Sequence, residues 1–255
     1  MPAIPPARLK HLALASLCAA SALALTACGP VGQAAEEGSK PAAESGPYPG
    51  LSGPEILNKA ITTTKKATSV RLRFVTTTAD GPVRGDLAVD TKGDCAGTVH
   101  LGTEGTTELV KTGDTVYLRF DEKMLRAQTE GSSEAETRAT LDMLLGKWVQ
   151  EKADGEDAKD LAQFCDLDSY LEGFEAEDTA AQRAGESTVD GTPTVVLKES
   201  YRGEKATAHV AAKGTPHLLR FQVTGGAEPI DMTFSEFDKP VPVKKPAKKD
   251  IVDLG

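Results

Sequence analysis

The chain has 255 residues, with 29 Lys or Arg against 38 Asp or Glu, a formal net charge of −9. That balance argues against a nucleic-acid binder, which needs a basic patch. It also argues against electrostatic adhesion to anionic lipid head groups. Aromatic residues make up only 5% of the chain, so large rings to fill a wide interior are few.

Arg8, Lys10 and His11 form a basic start. Leu12 to Leu25 is apolar or small except for Ser16 and Ser21. The run is shorter than the roughly 20 apolar residues that span a bilayer, and its length and flanks fit the h-region of a secretory signal. Ala22-Leu23-Ala24 offers an ordinary cleavage site, which leaves simple secretion open. Leu25-Thr26-Ala27-Cys28 resembles a bacterial lipobox, an aliphatic residue and two small ones before a cysteine. The resemblance implies a diacylglycerol on the Cys28 sulfur, removal of residues 1–27, and a place on the extracytoplasmic face of a bacterial cell membrane. Each buried CH₂ of an acyl chain contributes about 0.8 kcal/mol, and two chains hold stably. Cys18 leaves with the signal.

The first 27 residues hold two of the basic residues and none of the acidic ones, so the remainder carries a net charge of −11. It keeps two cysteines besides Cys28, at positions 95 and 165. In an oxidising compartment an even pair usually bridges; two free thiols are the alternative. No C-x-x-C pattern is present, so a Cys95–Cys165 bridge is structural.

Gly29 to Gly50 is rich in Gly, Pro, Ala, Ser and Glu, the composition of a flexible tether. The folded domain is expected over 51–243, followed by a basic, Pro-containing tail over 244–255 that reads as a solvated terminus rather than a binding patch. Ser52-Gly53-Pro54-Glu55 reads as a helix start. Ile56, Leu57, Ala60 and Ile61 then share a face of a helix expected to reach about Ala67. From Ser69 the period changes to two, and Val70, Leu72 and Phe74 alternate with Arg71 and Arg73, as in a half-buried strand. Further strands are predicted at Leu87 and Val89, at Val99 and Leu101, at Leu109 and Val110, and over Val116, Leu118 and Phe120.

Ser133 to Leu145 reads as a helix with Leu141, Leu144 and Leu145 on its inner face. A short strand follows at Trp148. Glu156 to Phe174 reads as one or two helices carrying Cys165, so a bridge to Cys95 staples helix to sheet. Thr179 to Val189 is an exposed strand, Asp190-Gly191 a hairpin turn. Val195 and Leu197, Ala206 to Val210, Leu218 to Val223 and Ile230 to Phe237 complete the strands. The expected architecture is α+β: a strongly curved antiparallel sheet of about eleven strands, a half-barrel, wrapped around a few helices. A flat sheet of that size is unfavourable because strands twist and large sheets curl.

The order of these elements resembles a known group. After the lipobox, tether, helix and meander come Gly113-Asp114-Thr115-Val116-Tyr117-Leu118 and Gly146-Lys147-Trp148-Val149. Val189-Asp190-Gly191-Thr192-Pro193 opens a second meander, which closes on Phe234-Ser235-Glu236-Phe237-Asp238-Lys239-Pro240-Val241. From Leu51 to Val243 this is similar to the LppX/LprG family of actinobacterial lipoproteins, whose fold resembles the carriers LolA and LolB. The resemblance implies a half-barrel with an apolar cavity that binds acyl chains and carries lipids or lipoglycans through the envelope. The Cys95–Cys165 pair departs from the family pattern. A staple there limits how far the mouth opens and favours a short ligand over a multi-chain one.

Strand parity names the candidate lining: Val70, Leu72, Phe74, Leu87, Val89, Val99, Leu101, Val116, Leu118, Phe120, Val195, Leu197, Leu219, Phe221 and Val223, faced by Leu141, Leu144 and Leu145. The same residues make an ordinary closed core, and the sequence does not separate the two.

No catalytic residue, metal site or cofactor is expected. His100, His209 and His217 lack metal-ligand spacing, and a surface position is the default for each. Glu156, Asp157 and Asp160 lack the alternating ligands of a calcium loop and read as a solvated face. No nucleophile elbow or P-loop occurs. The reading is a monomeric, lipid-anchored binder of lipid or lipoglycan. The alternative is an envelope sensor or protein-interaction lipoprotein with a protein partner and no cargo. A continuous cavity favours the first, and a plugged core with an exposed edge strand favours the second.

Overall fold

Residues 46–79, 81–156, 158–172, 174 and 179–252 are described by the computed structural model. The expected signal peptide, Cys28 and the tether up to residue 45 lie outside the described residues, as do Asp80 and Asp157. Leu51–Gly255 forms one compact unit that holds every described helix and strand.

The chain enters through α1 (Gly53–Thr64), started by a reciprocal cap. Ser52 N–H donates to Glu55 Oε2 at 2.7 Å, and Glu55 N–H donates to Ser52 Oγ at 3.4 Å. These bonds satisfy backbone donors that the first turn leaves without helical partners. The helix stops at Thr64, three residues before the expected end. The Thr64 hydroxyl instead accepts from Leu218 N–H at 2.9 Å, tying the helix end to the sheet.

Two meanders follow. The first is β1 (Ser69–Thr78), β2 (Gly81–Asp90), β3 (Cys95–Leu101), β4 (Gly105–Thr112), β5 (Thr115–Phe120) and β6 (Trp148–Lys152). The second is β7 (Gln182–Val189), β8 (Thr192–Tyr201), β9 (Glu204–Ala211), β10 (Leu218–Thr224) and β11 (Ile230–Ser235). Antiparallel pairing of β1 with β11 joins them into one curved, unclosed sheet. Asp190 and Gly191 both have positive φ, 46° and 79°, as the β7–β8 hairpin requires.

Among the described residues the sheet has twelve strands rather than eleven. The last is β12 (Ile251–Val252), which pairs parallel with β6 and makes the sheet mixed. It lies in the segment expected to be a solvated tail. The connection from β11 to β12 passes six strands in the sheet order. It is pinned at its start: Thr68 N–H and Oγ–H donate to Asp238 Oδ1 at 2.8 and 2.9 Å, and Ser69 Oγ–H donates to Lys239 O at 2.6 Å.

One inner row crosses the first meander in register: Phe234, Leu72, Leu87, Gly97, Leu109, Leu118 and Val149. Every side chain in it beyond glycine is at most 4% exposed. Period-two alternation put these residues on one face, and antiparallel pairing aligned them across strands. The opposite face carries ion pairs such as Arg71–Asp86, Arg119–Glu108 and Arg220–Asp231. Pairs this exposed contribute little to stability.

Between β5 and β6 lie α2 (Glu122–Gln128) and α3 (Glu134–Leu144). The sequence reading did not include α2, whose seven residues hold too little pattern to show a period. Asp121 caps it, accepting from Met124 N–H at 2.7 Å. Met124 and Leu125 are buried, and α2 packs on β4, β5 and α3. It therefore takes the place expected for α3. The helix α3 buries none of its residues, and Leu145 just after it is 47% exposed.

Candidate functional site

The segment between β6 and β7 forms α4 (Lys159–Ala162), a short 3₁₀ turn over Gln163–Cys165, and α5 (Leu167–Glu172). It covers the inner face of the sheet. Ala158, Cys165, Leu167 and Leu171 are buried beneath it. Cys95 and Cys165 form a disulfide with Cα atoms 5.3 Å apart, fixing the segment to β3.

Three aromatic rings do most of the covering. Phe164 stacks on Phe74 of β1, with centroids 5.8 Å apart, and Tyr170 approaches the same ring at 5.9 Å. Phe174 meets Phe221 of β10 edge-on at 4.8 Å and Phe234 of β11 at 6.0 Å. Such offset and edge-on pairs are favourable beyond the area they bury. The position of the Phe74 ring depends on Gly85, its cross-strand partner. A Cβ at residue 85 would lie 2.1 Å from Phe74 Cε1, so only glycine leaves room for the ring. The Tyr170 hydroxyl donates to Phe164 O at 3.2 Å. Burial, with the Asp166 charge adding to it, raises the Tyr170 pKa well above the ordinary phenol value.

Most of the candidate lining is brought together on this face. Val70, Leu72, Phe74, Leu87, Val89, Val99, Val116, Leu118, Val195 and Leu197 are buried. Leu101, Phe120, Phe221 and Val223 are half-buried. Four residues are placed differently. A register shift between Leu218 and Arg220 turns Leu219 into a smaller cluster with Val189, Ala211 and Phe237. Leu218, 1% exposed, pairs with Val210 in its stead. Leu141 and Leu144 are half-buried on α3 and Leu145 is exposed, because α2 stands between α3 and the sheet.

The sequence reading did not name Phe164, Tyr170 and Phe174 as part of the site. A signal was present: 3 of the chain's 12 Phe, Tyr and Trp residues fall within eleven positions. Two open clefts border the core. One, of about 560 Å³, lies open to solvent beside the disulfide, and half of its lining residues are charged, among them Asp90, Lys92, Lys111, Lys159 and Asp166. The other, of about 220 Å³, lies between Arg119, Phe120 and Leu145. Neither is an apolar cavity between sheet and helices.

Two histidines depart from the expected surface positions. His209 is 8% exposed, with Nδ1 3.4 Å from the Thr194 hydroxyl. His217 stacks on Phe237 with centroids 3.9 Å apart. Burial lowers the pKa of both, and Arg220 lowers that of His209 further. Among the described residues, no group of His, Cys, Asp or Glu is placed to hold a metal ion, and no helix is long and apolar enough to cross a membrane.

No protein-family model matches this chain, and no curated protein sequence does. Solved structures do. LprF from Mycobacterium bovis matches with a TM-score of 0.52 at 16% identity, over 76% of this chain and 97% of LprF. The Mycobacterium tuberculosis lipoprotein LppX gives 0.48 at 19% identity, over 76% of this chain and all of LppX. Pseudomonas aeruginosa MucB, in complex with MucA, gives 0.32 at 14% identity, over 77% of this chain and 59% of MucB. At such identities the likeness is one of fold. This chain has the LppX/LprG-type fold, the one its order of motifs resembles.

Proposed function

We propose that this protein is a membrane-anchored extracytoplasmic lipoprotein that binds acyl chains of a lipid or lipoglycan against the inner face of its sheet and carries them through the envelope. Cys28 is the proposed point of acylation. The observation that carries the reading is the nature of the cover. Phe164, Tyr170 and Phe174 lie on the apolar rows from short helical pieces, not from one long helix. An acyl chain that displaces these rings replaces apolar contact with apolar contact. Its own transfer from water contributes about 25 cal/mol per Å² of apolar surface buried. The LprF-like fold supports the same reading. It assigns no chemical reaction.

Native mass spectrometry of residues 51–255 made in bacteria tests this. The expected result is a lipid adduct, or uptake of a fluorescent fatty acid that rises when the disulfide is reduced. A clean apo mass with no uptake in either redox state overturns the reading.

A second reading, an envelope sensor that binds a protein and no cargo, has its own observations, the first being that rings fill the inner face and neither cleft is an apolar cavity. The strand β7 is a sheet edge and is exposed over most of its length, which suits addition of a partner strand. Its register shift between Arg183 and Gly185 limits indiscriminate pairing.

A further inference from the structure

Among the described residues, three large apolar side chains stand exposed: Val75, Met143 and Leu145. Two of them share one turn. Met143 is 52% and Leu145 47% exposed at the C-terminal end of α3, a helix that rests on α2 and buries nothing of its own. The register of the last strand decides what lies beside this turn. β12 runs parallel to β6, with Ile251 opposite Trp148 and Val252 opposite Val149. Because the pairing is parallel, the 3₁₀ turn Lys248–Asp250 that leads into β12 and the turn Leu145 to Lys147 that leads into β6 enter at the same end of the pair. Neighbouring strands are about 4.8 Å apart. Lys244, Lys245, Lys248 and Lys249 are all exposed, and no acidic residue lies between Lys239 and Lys249.

Among the described residues, an acidic chain therefore brings a run of lysines to the end of the sheet where it exposes two large apolar side chains, with Asp142 and Asp250 the acids nearest in sequence. That combination suits an anionic bilayer: apolar side chains enter the interface while cations reach the head-group phosphates. A second copy of the chain fits poorly. A two-fold contact would set the same lysines of both copies against each other.

We propose that the Met143–Leu145 turn and the lysines of 244–249 form a docking surface for an anionic lipid bilayer. The surface rests on the reading of this protein as one that works at a membrane, and it would orient the domain independently of any acyl anchor.

The test is sedimentation of residues 51–255, which hold every element of the fold, with vesicles of phosphatidylcholine alone or mixed equally with phosphatidylglycerol. Binding to the mixed vesicles is expected, with loss in high salt. Replacing Met143 and Leu145 together by Ser should weaken it at least tenfold. Each of K244Q, K245Q, K248Q and K249Q should cost about fivefold. Thermal melts should stay at the wild-type midpoint, since all these side chains are exposed. Absence of binding, equal binding to both vesicle types, or binding indifferent to these substitutions overturns the proposal. So does a dimer in analytical ultracentrifugation that Leu145→Ser abolishes. A lipid adduct in the mass spectrum combined with no vesicle binding would remove the docking surface and leave the cargo reading standing.

Discussion

Besides α2, two helical covers lie on this sheet among the described residues, and they are built differently. The cover α1 is a twelve-residue helix with a reciprocal cap, a helix face with Ile56, Ala60 and Ile61 at 3% exposure or less, and a threonine bonded to β10. The central cover consists of a four-residue helix without a side-chain cap, a 3₁₀ turn and a six-residue helix. Its hold on the sheet comes from one disulfide and three aromatic rings. Continuous hydrogen bonding makes the first a wall. The second has little helical stability of its own, because short helices are marginal in water. It is held by contacts that can be broken one at a time, which is the property an acyl-chain gate needs.

The largest test breaks the staple. Cys165→Ser with Cys95→Ser opens a loop of 70 residues. The loss should be about 4 kcal/mol in urea denaturation, from chain entropy. Fatty-acid uptake should become faster. An unchanged denaturation midpoint would mean that the rings alone hold the cover. Next, Ile56→Ala in the wall should cost about 3 kcal/mol through the cavity it leaves, with uptake unchanged. If uptake rises as much as in the cysteine variants, the distinction between wall and gate fails. Phe174→Ala should cost about 2 kcal/mol, less than a fully buried Phe because this ring is half-buried, yet should raise uptake more than Ile56→Ala. Ser52→Ala removes the α1 cap and should cost about 1 kcal/mol, with uptake again unaffected.

The smallest effect is one of pH, and it belongs to the second meander. His209 and His217 have folded pKa values below the ordinary 6.5. The unfolded chain therefore takes up protons first as pH falls. The stability they contribute is full above pH 6.5 and is lost on acidification below it. Thermal midpoints between pH 7 and pH 5 should fall, and His209→Gln with His217→Gln should flatten that slope. A slope untouched by both changes would assign it to carboxylates such as Asp238, whose pKa the Thr68 bonds lower.

Strand parity was legible because it is local. Leu72 and Leu87 face inward by alternation alone, and pairing only aligned them. Leu219 escaped because a one-residue register shift reverses a side chain, and nothing in Leu218-Leu219-Arg220 announces it. The helix α3 was found, yet its buried side was misassigned. Its Leu141 and Leu144 carry a helical period, but whether a period is buried depends on what stands next to it, and α2 stood there first. Net charge is an average: a total of −9 coexists with five lysines and no acid from Lys239 to Lys249.

By itself the sequence determined the capped first helix, the two meanders, the hairpin at Asp190-Gly191 and the pair of cysteines available for a bridge. These follow from side-chain period, turn chemistry and composition, which act over a few residues. Only the tertiary structure decided that Phe164, Tyr170 and Phe174 close the inner face and that β12 returns past six strands to pair with β6. Those contacts join residues tens to more than a hundred positions apart. They are selected by which surfaces remain uncovered once the sheet has formed, and no local pattern carries that information.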